Sequence, residues 1–112
     1  MDINVRRRSA VEVIQLRGPL RLGPAVDDFR RTLDESTAAG DIRIVLNMAE
    51  VPMVDSSGIG LLVKTLTGLK QRGGALKLVS PSRLTTQTLR IVGVLNLFDV
   101  FEDEDSAIQS FQ

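Results

Sequence analysis

Apolar residues along the chain fall into two rhythms: short continuous runs that suit buried strands, and stripes recurring every three to four positions that suit helices. Val11 to Arg17, Ile42 to Asn47 and Ala75 to Val79 are of the first kind. Ile3 to Arg7 adds a shorter candidate strand, separated from the next by a polar turn around Arg8-Ser9. Those two strands lie too close for a crossover and should pair antiparallel. The second alternates poorly, as a strand with both faces partly covered does. After Gly18-Pro19 and Gly23-Pro24, Val26, Phe29 and Leu33 recur at helical spacing from Ala25, and Gly40 supplies a stop. Ala49 to Val54, with Pro52, reads as an irregular connection. A second helix starts in Asp55-Ser56-Ser57 and runs to about Arg72, with Ile59, Leu62, Val63, Leu66 and Leu69 as its apolar stripe. Ser80-Pro81-Ser82 caps a third, which carries Leu84, Leu89, Ile91 and Val92 and ends near Gly93. Phe98 to Phe101 forms a last strand and Ser106 to Phe111 a terminal helix.

Strands alternating with helices imply a largely parallel sheet joined by right-handed crossovers. The expected architecture is α/β: a mixed sheet of about five strands, with helices packed mainly on one face because the chain is too short to cover both. Its 112 residues make one domain, 1–112.

Composition narrows the function. Basic and acidic residues number 14 each, so the chain lacks the cationic excess a nucleic-acid binder uses against phosphates. No apolar run reaches the roughly 20 residues that span a bilayer, and the N-terminus has no signal-peptide pattern, so no membrane is expected and the cytoplasm is the default location. Without cysteine or histidine, disulfides, thiolate metal sites and the usual proton shuttle are absent. A serine nucleophile would need another base; Lys64 lies about two helical turns from Ser56, so an enzyme is not expected. Arg6-Arg7-Arg8 reads as a solvated strand edge, and Glu102-Asp103-Glu104-Asp105 as a helix start favoured by the dipole. Met48 and Met53 read as core or turn filler.

Asp55-Ser56-Ser57-Gly58 carries the candidate chemistry. Serine and aspartate are preferred helix caps, and that alone would explain them. Gly58 and Gly60 weaken a first turn, each by up to about 1 kcal/mol, and are expected where another backbone or molecule comes close. A hydroxyl there is also a good phosphate acceptor, because free N–H groups and the dipole favour a dianion. Cap and functional hydroxyl both remain open on spacing alone.

Val45-Leu46-Asn47-Met48, the step to Val54, and Asp55-Ser56-Ser57-Gly58-Ile59-Gly60-Leu61-Leu62 together resemble the STAS domain, and within it the bacterial anti-sigma factor antagonists. Gly73-Gly74 before Leu76-Lys77-Leu78-Val79, Ser80-Pro81, and Leu89 to Phe98 extend the resemblance over nearly the whole chain. It implies a STAS-like sheet and a phosphoacceptor at Ser56, with Ser57 the alternative. It implies an anti-sigma factor with serine kinase activity as partner and a serine phosphatase that resets the switch. ATP and magnesium belong to the kinase, so no cofactor is expected of this chain. Asp55, Ser57, Gly58, Gly60, Leu61, Lys64 and Thr65 become the partner-binding candidates, with Leu61 exposed beside the phosphosite. A non-switching scaffold or transporter-accessory module is the alternative, and a monomer or weak dimer is expected. The chain departs from the pattern at Gly18-Pro19-Leu20-Arg21, where many members carry an acid at the last position.

Overall fold

The computed structural model describes residues 1–112. Five strands form one sheet in the order β1 (Asp2–Arg8), β2 (Val11–Arg17), β3 (Arg43–Glu50), β4 (Ala75–Val79) and β5 (Asp99–Phe101). β1 runs antiparallel to β2, and the other pairs are parallel. The first pair turns through Ser9 and Ala10, both with positive φ, the tight hairpin geometry that matches strand twist. β3 extends to Glu50, past its expected end at Asn47.

The crossovers α1 (Pro24–Ala38), α2 (Ser56–Gln71) and α3 (Arg83–Ile91) all step the same way across the sheet, so right-handed connections place them on one face. That face holds the main core: Ile14, Leu16, Ile44, Leu46, Leu76 and Leu78 from the strands against Val26, Phe29, Leu33, Leu62, Leu66, Leu69 and Leu89 from the helices. Met48 is fully buried in it, whereas Met53 is half-buried. The expected placement of helices is therefore observed. The short α4 (Glu104–Gln109) covers the opposite face, where Ala107 and Ile108 pack on Val11, Val13, Val45 and Val79.

Two local expectations change. α3 buries only Thr85 and Leu89, leaving Leu84, Ile91 and Val92 exposed at its outer side. Of the three arginines of β1, Arg6 and Arg7 are exposed and Arg8 is half-buried, and none is free. Arg6 and Arg8 reach over the sheet to Glu104, Arg8 also to Asp105, and Arg7 turns the other way to Asp41. Alternation along the strand explains the split, since successive side chains point to opposite faces.

Candidate functional site

In a parallel sheet the loops beyond the strand C-termini emerge side by side. β2 and β3 end together with Arg17 opposite Glu50, and the segments that follow stay zipped. Gly18 N–H donates to Glu50 O at 2.9 Å, Leu20 N–H to Met53 O at 3.0 Å, and Asp55 N–H to Leu20 O at 3.0 Å. Leu20 and Val54 form an isolated parallel bridge and are both buried. This brings the loop before α1 against the start of α2, at the carboxyl end of the sheet where open α/β folds place their sites.

Asp55 is the N-cap of α2. Its Oδ1 accepts from Gly58 N–H at 3.0 Å, and its Oδ2 accepts from Leu22 N–H at 2.8 Å. One carboxylate thus terminates the helix and tethers the neighbouring loop. The N–H donors of Leu22 and Gly58 hold it below the usual carboxylate range, with Arg21 adding a favourable charge. Because Asp55 makes the cap, neither serine is needed for it. Ser56 is exposed in the first turn, and Ser57 is half-buried behind it.

The two glycines differ. Gly58 is buried, and a Cβ there would sit 2.6 Å from Val54 Cγ1 and 3.0 Å from Leu20 O. Its close approach is internal, to the bridge that fixes the loop, so it presents no surface to a partner. Gly60 is exposed, with open space where a Cβ would stand. Leu61, expected on the exposed face, is only 7% exposed. α1 packs across α2 and widens the buried stripe, placing Leu61 in the wall of a groove of about 290 Å³ that Lys64 and Thr65 also line. Lys64 is exposed; Thr65 is half-buried and returns its hydroxyl to Leu61 O at 2.7 Å. Asp55, Ser56, Ser57 and Gly60 therefore cluster at the helix start, while Lys64 lies beyond them along α2.

Leu22 was not legible as part of this cluster. It is 75% exposed, although its N–H is pinned to Asp55. A leucine held in the open between Gly18-Pro19 and Gly23-Pro24 was the available signal, but the tether that brings it to α2 spans 33 positions. No helix is long and apolar enough to cross a membrane.

The STAS domain model matches residues 2–107. The chain belongs to the STAS family. Among characterised relatives, the anti-sigma-B factor antagonist of Bacillus subtilis is 32% identical over a stretch covering 62% of each chain, so the match spans under two thirds of that protein. An anti-sigma-factor antagonist (STAS) domain protein from Planctomyces limnophilus superposes with a TM-score of 0.85 at 21% identity, over 98% of this chain and 97% of that one. The Bacillus cell fate determinant SpoIIAA, solved in its phosphorylated form, superposes at 0.78 and 24% identity, over 99% of this chain and 100% of that one. At these identities the structural likenesses establish the STAS fold.

Proposed function

We propose that this STAS domain is an anti-sigma factor antagonist, a cytoplasmic protein that binds an anti-sigma factor with serine kinase activity and is released by phosphorylation of Ser56. The observation that carries the reading is the division of labour at α2: Asp55 does the capping, which leaves the exposed Ser56 hydroxyl with no structural task. The name of the Bacillus subtilis relative supports the class of partner.

In the transfer, Ser56 Oγ attacks the γ-phosphorus of kinase-bound ATP. The new O–P bond forms as the bond to ADP breaks, and the hydroxyl proton passes to a base on the kinase. The domain is the substrate and supplies a rigid, exposed nucleophile. Leu22, tethered to Asp55, offers exposed apolar surface, and Gly60, one turn further along α2, offers a place for close backbone approach. A dianion in the middle of such an interface is costly to bury. Moving a partner from almost wholly bound to almost wholly free takes roughly 5.5 kcal/mol, and burying a phosphate dianion in an apolar interface is of the size required. A phosphatase restores the hydroxyl.

The test is to incubate the protein with its cognate kinase and ATP and map the phosphate by mass spectrometry. Phosphate on Ser56 supports the reading. Phosphate on Ser57 alone moves the acceptor by one residue, and phosphate on neither sinks the switch. Ser56→Ala should lock the complex, while Ser56→Asp should weaken it. A complex indifferent to both changes would identify a non-switching module.

A further inference from the structure

The proposed phosphate would arrive beside a carboxylate, since Ser56 directly follows Asp55. A dianion next to an anion is unfavourable unless a cation stands near. The charges around the site identify which cation is free to do so. Arg17 is bound to Glu50 at 2.9 Å, with Asp2 at 3.7 Å. The N-terminal ammonium is bound to Asp28 at 2.5 Å. Lys64 is exposed on α2 but stands eight positions after Ser56, about 12 Å along the axis. Arg21 is exposed and holds no carboxylate, whereas Arg6, Arg7, Arg8, Arg17, Arg30 and Arg31 each hold at least one. Arg43, Arg72, Arg83 and Arg90 also hold none, but of these five Arg21 alone lies in the loop that is tethered to Asp55.

Its backbone is fixed on both sides. Leu20 O accepts from Asp55 N–H at 3.0 Å, and Leu22 N–H donates to Asp55 Oδ2 at 2.8 Å. Arg21 thus sits between two residues that both grip the residue preceding Ser56. The Arg21 side chain itself is exposed, at the rim of an open cleft it shares with Arg17, Leu22 and Pro24.

Resting on the assignment of Ser56 as acceptor, we propose that Arg21 is the phosphate's partner within this chain, a positioning residue that captures the phosphoryl group on Ser56 and holds the modified loop and helix start together. The planar guanidinium offers paired N–H donors that match phosphate geometry. Capture neutralises part of the new charge and compensates for Asp55. The modified domain therefore keeps its loop anchored and remains folded. The field of Arg21 already reaches this helix start, since it helps to keep Asp55 ionised.

The experiment installs phosphoserine at position 56 by genetic code expansion, so it needs no kinase and reads separately from the proposed function. Phosphorus NMR then follows the second ionisation of the phosphate, ordinarily near pH 6, in the otherwise natural chain and in Arg21→Gln and Arg21→Lys variants. Capture predicts that Arg21→Gln raises this pKa by about half a unit, a surface ion pair's worth. Arg21→Lys should recover part of the shift, and 0.5 M salt should shrink it. Arg21 is exposed, so the unphosphorylated variants should melt like the natural protein. Superimposable titrations of the natural chain and Arg21→Gln would overturn the proposal, as would a shift in Arg21→Gln that salt leaves unchanged. If the titrations differ as expected but the kinase leaves Ser56 untouched, the capture stands and the switch assignment falls.

Discussion

Glu104 offers the sharpest test of how this small domain holds itself together. Its carboxylate accepts two hydrogen bonds from Arg6 at 2.8 and 2.7 Å, one from Arg8 at 3.1 Å and one from Asn47 Nδ2 at 2.8 Å. One side chain therefore joins α4 to β1 and β3. These partners, Arg6 foremost, pull its pKa from 4.5 to about 2 against the effect of burial. Each pKa unit is worth about 1.36 kcal/mol, so the shift sets a ceiling of roughly 3 kcal/mol. Arg6 and Arg8 are each 40% exposed, and solvent screens them; about 1–2 kcal/mol is the better expectation. The folded pKa is depressed, so this stability is present above pH 4.5 and is lost as pH falls towards 2. In Glu104→Gln the exposed arginines rehydrate and an amide oxygen can still accept from Asn47, so what is removed is the charge-assisted bonding to Arg6 and Arg8. Urea melts from pH 2.5 to 7 should show the variant about 1–2 kcal/mol weaker at pH 7, with the gap closing in acid. High salt should narrow the gap at neutral pH. A variant equal to the natural protein at pH 7, or one with the same acid slope, would refute the reasoning.

Three further outcomes follow from the geometry. Gly58→Ala should lose about 1–3 kcal/mol in thermal or urea melts, because its methyl meets Val54 and the backbone of Leu20, whereas Gly60→Ala, with open space, should gain roughly 0.5–1 kcal/mol from helix propensity. Burial first, and Asp41 second, raise the pKa of Glu12, which bonds Ser36 under α1. A raised folded pKa means its contribution is full at low pH and declines as pH rises through that value, so the stability of Glu12→Gln relative to the natural chain should increase between pH 4 and pH 8 in paired melts. Leu22→Asp should leave the melting curve within about 0.5 kcal/mol of the natural one, yet weaken capture of the anti-sigma factor in a binding titration.

The elements were legible because most of the buried stripes are local. Val26, Phe29 and Leu33 state α1, and Leu62, Leu66 and Leu69 state α2, within one or two turns each. The antiparallel start followed from the short link between β1 and β2. What escaped depended on contacts between distant segments. Nothing near Leu61 says that α1 will lie across it, and nothing near Arg6 says that a carboxylate 98 positions later will bind it. α3 misled in the opposite sense: Ile91 and Val92 are apolar in sequence but close the helix on its solvent side, beyond the reach of the sheet.

The serine turn shows why a local pattern names a site before it explains one. Asp55, Ser56 and Ser57 are all acceptable caps, and only the fold distributes the work among them. The second oxygen of Asp55 decides it: a carboxylate can hold Gly58 N–H with one oxygen and Leu22 N–H with the other, and a serine hydroxyl has no such pair. The same tether explains the buried glycine, because Gly58 must admit the Leu20–Val54 bridge for Leu22 to reach Asp55. Cap, glycine and loop are thus one device, and Ser56 is the polar side chain that it exposes without using.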